Sequence, residues 1–203
     1  MDAKRYAGAT QRNREPILEV LQKVLPSKGN ILEIASGTGE HAVFFASQFP
    51  DCQWYPSDRD PSLRASIEAW SKECPTDNLH PPLDIDASSN HWEIETVAIP
   101  IDAIVNINMI HIAPFAACEG LIAGAGRILP QDGILYLYGP YKREGKHTSA
   151  SNEAFDSSLR GRDPQWGVRQ LEDVIAVAQR ANLVLQEIIA MPANNLSVIF
   201  RKK

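Results

Sequence analysis

The segment Ile31-Leu32-Glu33-Ile34-Ala35-Ser36-Gly37-Thr38-Gly39 is typical of an α/β fold. Its first four residues form a short apolar run that predicts a buried strand, and residues 41–49 predict the helix that follows. Between them, Gly37 and Gly39 let the backbone turn sharply and approach a ligand closely, because glycine has no Cβ. A strand, a glycine loop and a helix in this order predict the first unit of an α/β sheet with a ligand at the loop.

Strands and helices continue to alternate along the rest of the chain. Further strands are predicted at residues 53–57, 79–85, 101–107, 134–138, 183–189 and 196–200, and helices at residues 16–25, 61–70, 114–129 and 168–178. The last two strands are separated only by residues 190–195, too short a link for a parallel crossover, so they should form an antiparallel hairpin. The sequence predicts a Rossmann-like, mostly parallel sheet of seven strands with this hairpin at its C-terminal end. No repeat or linker divides residues 1–203, so we expect a single domain.

Composition and charge argue against several classes of protein. The chain of 203 residues is 44% hydrophobic and 22% charged, which is ordinary for a globular domain. The net charge is -5 and Lys and Arg form no cluster, so we expect no nucleic-acid partner. The N-terminus is polar and no apolar run approaches the roughly 20 residues needed to cross a bilayer, so we expect a soluble protein without a membrane contact.

Cysteine and histidine usage bears on the compartment and on metals. Cys52, Cys74 and Cys118 are scattered, which argues against a disulfide framework and a zinc site and suits a reducing cytoplasm. No group of His, Cys and Asp has the spacing of metal ligands, so we expect no metal.

Asp58 is a candidate binding residue at the end of the predicted second strand. It follows the glycine loop by about 20 residues, the spacing at which an acidic side chain reaches the ribose hydroxyls of a bound nucleoside. Capping the next helix is its alternative role, but Asp60 stands directly before Pro61 and is better placed for that. The loop and the acid together predict an adenosine-containing ligand.

A nicotinamide cofactor is the rival ligand, because Gly37, Gly39 and Ala42 also satisfy the dinucleotide fingerprint. Glu33 and Glu40 flank the loop and would repel a pyrophosphate, whereas they would attract a sulfonium and an ammonium group. The C-terminal hairpin also differs from the six parallel strands of the dinucleotide fold. Both observations favour S-adenosylmethionine over NAD.

The stretch from residue 31 to residue 39 resembles the first motif of class I methyltransferases, with Ala35 at the place where the first glycine is usual. Stretches across nearly the whole chain resemble the methyltransferase-like 26 family, namely residues 11–17, 57–58, 106–111, 163–169 and 192–196. This resemblance implies a class I fold and an S-adenosylmethionine site, and it implies no particular substrate.

The same resemblance assigns parts of the cofactor to residues of this chain. Those expected around the methionine part are Glu33, Ala35, Gly37 and Gly39, and those also expected in cofactor contact are Ser36, Thr38 and Asn106. Asp58 would bind the ribose. Asp84 would contact the adenine amino group, with Ile85 in apolar and backbone contact and Asp86 as a close alternative to Asp84.

Candidates for the acceptor side follow the fourth and fifth strands. Asn108 and His111 lie in the loop after the fourth strand, at the sheet edge where ligands bind, and His111 is the candidate general base. Tyr141 is a candidate for lining the acceptor pocket, and residues 142–161 form a polar, mobile segment with a helical stretch that is a candidate lid together with Trp166. A histidine bonded to backbone and an exposed loop tyrosine are the alternative roles.

The sequence therefore predicts an S-adenosylmethionine-dependent methyltransferase that acts on a small molecule. In-line methyl transfer depends on positioning and on exclusion of water, so a dedicated base is not required. Two alternatives stay open: an NAD-dependent oxidoreductase, and a protein that binds S-adenosylmethionine without transferring its methyl group.

Overall fold

Two β-sheets are seen in a computed structural model that describes residues 3–97 and 99–203. The strands are β1 (Gly29–Ile34), β2 (Cys52–Pro56), β3 (Ala103–Ile107), β4 (Ile134–Gly139), β5 (Tyr141–Arg143), β6 (Lys146–His147), β7 (Arg169–Gln170), β8 (Leu183–Met191) and β9 (Asn195–Lys202). The large sheet has the order β2-β1-β3-β4-β9-β8, and the small sheet has the order β6-β5-β7. Strands β1 to β4 are parallel, and β9 is antiparallel to both of its neighbours. The predicted mostly parallel sheet with a C-terminal antiparallel hairpin is confirmed.

Helices cover both faces of the large sheet. They are α1 (Thr10–Val24), α2 (Glu40–Gln48), α3 (Pro61–Glu73), the short α4 (Glu93–Thr96), α5 (Phe115–Ile128), α6 (Ala150–Arg162) and α7 (Leu171–Arg180). Side chains alternate along β1, so that Leu32 and Ile34 join the core that includes α5 and α7, whereas Ile31 joins the core that includes α1 and α2. Glu33 therefore lies on the α1 and α2 face. Within the described residues no helix has the length and apolar character needed to span a bilayer.

The predicted third strand at residues 79–85 does not form, and the large sheet has six strands instead of the predicted seven. This segment instead forms two isolated parallel bridges with the edge of the sheet, one from Trp54 to Leu79 and one from Ser57 to Leu83. Pro81 and Pro82 between the bridges have no N–H to donate, so a continuous ladder is interrupted there.

Two helices begin several residues away from their predicted starts. Helix α1 begins at Thr10, not at Pro16, which lies inside the helix. Residues 11–15 are polar, so the apolar periodicity that marks the rest of α1 does not extend over its first turns. Helix α7 begins at Leu171, after the predicted start at Val168. The predicted cap of α3 is confirmed, because the Asp60 carboxylate accepts a hydrogen bond from the Ser62 N–H at 2.8 Å.

Residues 142–161 form regular structure: they contribute to β5, β6 and most of α6. The predicted helical stretch corresponds to α6. Asp156 of α6 ties the segment together, because it accepts a hydrogen bond from the Val168 N–H at 2.8 Å and pairs with Lys142 at 2.9 Å and Arg160 at 3.2 Å. The small sheet and α6 therefore form one packed unit beside β4.

Candidate ligand-binding site

A cavity of about 480 Å³ lies at the carboxyl ends of β1, β2 and β3. Its volume falls in the range of small-molecule sites, which is roughly 300–1,000 Å³. Strands β2 and β3 flank β1 on opposite sides, so the cavity lies where the strand order reverses, the usual ligand position in open α/β sheets. It is lined by residues 33–38, 58–59, 85–87, 107–109 and 112–113, and by Ala7, Ala9, Thr10, His41, Leu63 and Ala117.

The glycine loop has three residues in the left-handed region: Ala35 at φ +56°, Gly37 at φ +59° and Gly39 at φ +93°. Gly37 lines the cavity, and a Cβ added to it would meet no atom within 4 Å. Gly39 has another role, because a Cβ there would lie 2.7 Å from the Cα of Ile67 in α3. Ala35 lines the cavity and keeps the left-handed conformation at a cost of roughly 1–2 kcal/mol. The loop therefore keeps this conformation without the usual first glycine.

Two serines tie the glycine loop to the end of β2. The Ser36 N–H donates to the Ser57 carbonyl at 2.8 Å, and the Ser57 N–H donates back to the Ser36 hydroxyl oxygen at 3.2 Å. The Ser57 hydroxyl donates to the Glu33 carbonyl at 2.8 Å. Thr38 is tied to the helices, since its hydroxyl donates to Glu40 at 3.0 Å and its carbonyl accepts from Ser66 at 2.8 Å. The backbone of the loop is thus fixed before any ligand binds.

Asp58 lies where the glycine loop and the end of β2 meet, and it lines the cavity. Its carboxylate accepts hydrogen bonds from the Gly37 N–H at 3.1 Å and from the Asp60 N–H at 2.9 Å. The residue is only 5% exposed, and this burial raises the pKa of Asp58 against the lowering effect of the two backbone N–H groups. The structure brings Asp58 and the glycine loop together as the sequence predicts.

Glu33 is the most perturbed carboxyl group of the cavity wall. It is 2% exposed, and burial raises its pKa to about 7 although the Trp54 Nε1–H donates to its Oε2 at 2.8 Å. The charge of Asp58 acts in the same direction as burial. A cation bound beside Glu33 would favour the ionised carboxylate, so this group can adapt its charge to a cationic ligand.

On the side predicted for adenine, the structure places Ile85 and Asp86 on the cavity wall and leaves Asp84 outside it. Asp84 pairs with Arg64 at 2.9 Å and its side chain is 64% exposed, because the guanidinium holds it on the outer surface. Burial raises the pKa of Asp86, but hydrogen bonds from the Ser88 hydroxyl and N–H outweigh it and the pKa is lowered. Of the two acids considered for adenine, Asp86 lines the cavity and Asp84 does not.

The two asparagines of the β3 end have different positions. Asn106 is buried and does not line the cavity; its Nδ2 donates to the Ile34 carbonyl at 2.9 Å and joins the ends of β1 and β3. Asn108 lines the cavity and has a left-handed φ of +65°. Of the two candidates, Asn108 is the one that a ligand can reach. Asn106 stabilises the start of the glycine loop through its hydrogen bond to Ile34.

His111 and Tyr141 are fully buried and lie outside the cavity wall. Their rings contact each other edge to face at 5.0 Å, and the Arg169 N–H donates to His111 Nδ1 at 3.3 Å. Burial lowers the pKa of His111 to about 3, with Arg169 adding to the effect, so the ring is neutral. Gly139 leaves room for this ring, because a Cβ there would lie 2.5 Å from His111 Nε2. The expected base and pocket tyrosine thus occupy a packed cluster behind Asn108.

Part of the wall comes from residues that the sequence analysis did not select: Ala7, Ala9, Thr10 and His41. The segment before α1 is held in place by the Ala7 N–H, which donates to Glu40 at 2.6 Å, and by the Arg5 N–H, which donates to Ser66 at 2.8 Å. The sequence signal that could have identified His41 is its position directly after the glycine loop. Residues 142–161 and Trp166, the predicted lid, do not line this cavity.

Charge on the wall is mainly negative. Glu33, Asp58 and Asp86 provide three carboxyl groups, and Arg59 provides one guanidinium, 3.5 Å from Asp86. Over the part of the chain that the structure describes, no three His, Cys, Asp or Glu side chains gather as metal ligands. The wall is suited to an organic ligand that carries positive charge.

One family model matches residues 4–202, nearly the whole chain. The chain belongs to the family described as Protein of unknown function (DUF938). This DUF938 protein is also similar to solved structures of methyltransferases. An O-methyltransferase family protein from Burkholderia thailandensis matches with a TM-score of 0.80 and 12% identity over 96% of this chain and 57% of that one.

Two other solved structures have similar scores. An O-methyltransferase family 2 protein from Planctomyces limnophilus DSM 3776, in complex with apigenin, matches with a TM-score of 0.77 and 19% identity over 94% of this chain and 56% of that one. Human N-acetylserotonin methyltransferase, in complex with SAM, matches with a TM-score of 0.76 and 12% identity over 96% of this chain and 52% of that one. The DUF938 protein therefore has the α/β fold of these methyltransferases and spans about half the length of the chains it matches.

Proposed function

We propose that this DUF938 protein is an S-adenosylmethionine-dependent methyltransferase that acts on a small molecule. The observation that carries the proposal is the meeting of the glycine loop backbone and the Asp58 carboxylate on one cavity wall, where the strand order reverses. The fold shared with solved methyltransferases supports the same activity.

The residues present fit the parts of S-adenosylmethionine. Asp58 has carboxylate oxygens on the cavity wall for the ribose hydroxyls, and Ile85 and Asp86 offer an apolar surface and an acceptor for adenine. Residues 35–38 leave open space for the methionine part beside Glu33. The bound cofactor would supply a methyl group on a sulfonium, and the protein would orient the acceptor and exclude water around it.

The charge of the wall favours this cofactor over NAD. A pyrophosphate would lie beside the carboxyl groups of Glu33 and Asp58 with Arg59 as the one cation among the lining residues of the described chain. A sulfonium and an ammonium group would be attracted instead. The antiparallel β9 between β4 and β8 also differs from a dinucleotide fold of six parallel strands.

The acceptor is proposed to bind at the end of the cavity near α5, where Met109, Ile112, Ala113 and Ala117 line the wall. This apolar surface, with Asn108 as its polar group, supports a small and largely apolar acceptor. We assign contact with the acceptor to Asn108. His111 and Tyr141 are proposed to position the turn that carries Asn108.

The proposal also includes the narrower family and the cellular compartment of the protein. The five stretches that resemble the methyltransferase-like 26 family support membership in that group. The free cysteines Cys52 and Cys118, both buried, support a reducing compartment such as the cytoplasm.

Calorimetric titration of the purified protein with adenosylhomocysteine and, separately, with NAD tests the cofactor. We expect micromolar binding of adenosylhomocysteine and no binding of NAD. Binding of NAD alone would overturn the proposal in favour of the oxidoreductase. Conversion of S-adenosylmethionine to adenosylhomocysteine in the presence of small-molecule extracts then separates a transferase from a protein that only binds the cofactor.

A further inference from the structure

His41, the second residue of α2, lines the cavity directly after the glycine loop. Its ring stacks on Phe45 at a centroid distance of 5.4 Å, and its Nε2 lies 2.9 Å from the side-chain oxygen of Asn13 in α1. Asn13 is 9% exposed. The imidazole is therefore held on one face by an aromatic ring and at one nitrogen by a buried amide.

This arrangement decides which nitrogen of His41 carries the proton. An amide oxygen only accepts hydrogen bonds, so Nε2 must donate and Nδ1 keeps its lone pair. Burial, followed by the charge of the Arg14 guanidinium, lowers the pKa of His41 to about 4, so the ring is neutral at physiological pH. Among the residues that the structure describes, Nδ1 has no hydrogen-bond partner. The wall thus offers a neutral acceptor beside the glycine loop.

Only a ligand group that donates hydrogen can use this acceptor. A carboxylate has lone pairs alone and cannot bond to Nδ1, whereas an ammonium group has three hydrogens to donate. The negative charge of Asp58, and of Glu33 once a bound cation favours its ionised form, also favours an ammonium group in the same cavity. A neutral His41 adds no repulsion.

We propose that His41 Nδ1 accepts a hydrogen bond from the α-ammonium group of the bound cofactor, so that His41 selects ligands with a free amino group. The inference rests on the proposed function, since it assumes that S-adenosylmethionine or its product occupies the cavity. In this proposal, α1 and α2 together recognise the amino-acid end of the ligand through Asn13 and His41.

The test compares adenosylhomocysteine with its deamino analogue, which lacks only the amino group, by calorimetric titration. We expect wild-type protein to prefer adenosylhomocysteine by more than about tenfold, because the deamino analogue loses one hydrogen bond to a charged group, worth about tenfold, and also the attraction of Glu33 and Asp58. The His41→Phe variant keeps an aromatic ring against Phe45 but has no acceptor, so its preference should fall by about tenfold through loss of adenosylhomocysteine affinity. His41→Asn should restore part of the preference, because an amide oxygen can take the place of Nδ1.

His80→Phe is the matched control. His80 also stacks on an aromatic ring, Tyr55 at 4.1 Å, and bonds to an amide oxygen, that of Gln53 at 2.8 Å, but it does not line the cavity. This variant should keep the wild-type preference. The ¹⁵N spectrum of His41 gives a second readout that does not depend on a variant: the signal of the unprotonated Nδ1 should move upfield with adenosylhomocysteine and not with the deamino analogue.

Three outcomes would contradict the inference. An unchanged preference with unchanged affinity for both ligands in His41→Phe overturns the inference and leaves the proposed function intact. An equal loss of affinity for both ligands in that variant assigns His41 to packing. Failure of the wild-type protein to bind adenosylhomocysteine overturns the proposed function itself, and the inference with it.

Discussion

The glycine-loop region and the His111 cluster lie at the same edge of the large sheet, yet one faces a cavity and the other is closed. In the first region Glu33, Gly37 and Asp58 line the cavity wall. In the second, His111 and Tyr141 are fully buried, because β5 and β7 of the small sheet pack over the turn that follows β3. Position at the carboxyl end of a strand therefore makes a polar residue a candidate, and the elements that cover the edge decide whether a ligand can reach it.

The two regions also differ in how their polar atoms are satisfied. Asp58 and Ser36 are fixed by hydrogen bonds from the backbone. In the closed cluster, the Tyr141 hydroxyl and His111 Nε2 are buried without a hydrogen-bond partner in the described part of the chain. The hydrogen-bonded polar atoms of the glycine-loop region are typical of a preformed binding site. The unpaired Tyr141 hydroxyl and His111 Nε2 contribute no hydrogen-bond stabilisation to the closed cluster.

The largest effect is expected for Gly39→Ala, which should lower the free energy of unfolding by about 3–5 kcal/mol through a left-handed strain and a clash with Ile67. Gly37→Ala is the matched control: it has the same strain with open space around its Cβ and should cost about 1–2 kcal/mol. Urea denaturation measures both. Equal losses would show that close packing of α3 is not the reason for Gly39.

Glu33→Gln is expected to change the pH dependence of stability. The folded-state pKa of about 7 lies above the ordinary value of 4.5. The contribution of the neutral, buried acid to stability is therefore fully present below pH 4.5 and is lost as pH rises through 7. The stability of the variant relative to wild type should therefore rise by about 3 kcal/mol across that interval. Denaturation curves at several pH values measure it, and a difference that does not vary with pH would contradict the raised pKa.

Asp58→Ala should weaken adenosylhomocysteine binding by about tenfold or more, because a charged hydrogen bond worth roughly 1.5–3 kcal/mol is removed. Asp84→Ala is the control, since Asp84 is an acid of the neighbouring segment that lies outside the cavity wall. Calorimetric titration compares the two variants. Wild-type affinity in Asp58→Ala would remove Asp58 from the ribose site, and a loss in Asp84→Ala would restore the role first given to Asp84.

The smallest effect is expected in the closed cluster. Tyr141→Phe removes a buried hydroxyl that has no partner in the described chain, so the free energy of unfolding should stay the same or rise by about 1 kcal/mol. Affinity for adenosylhomocysteine should not change. Thermal unfolding and titration measure the two quantities, and a marked loss in either would show that the hydroxyl has a partner or contacts the ligand.

Local sequence patterns predicted most of the fold, because buried parallel strands and a hairpin with a short link have clear signatures. The exceptions have two kinds of physical cause, one local to the segment and one that depends on neighbours in space. Pro81 and Pro82 interrupt an apolar segment that otherwise has the pattern of a strand. The first turns of α1 lack the regular spacing of apolar residues that marks a helix in the sequence. They contact the cavity and α2 instead of the sheet core, so they need no apolar face.

For the site, the sequence predicted the loop and Asp58, which depend on spacing along the chain. The choice between Asp84 and Asp86 depends on Arg64 and Ser88, which hold the two carboxylates in different places. His111 is buried outside the cavity because the small sheet packs over it, which is a tertiary feature, whereas His41 lines the cavity. Sequence patterns therefore could not predict the placement of residues whose surroundings come from elements far away in the chain.

A crystal structure of the protein with adenosylhomocysteine would show directly whether the cavity is the cofactor site. We expect the ribose hydroxyls within hydrogen-bond distance of the Asp58 carboxylate and the homocysteine part along residues 35–38. A ligand bound elsewhere, or bound in the cavity without contact to Asp58 and the glycine loop, would contradict the account.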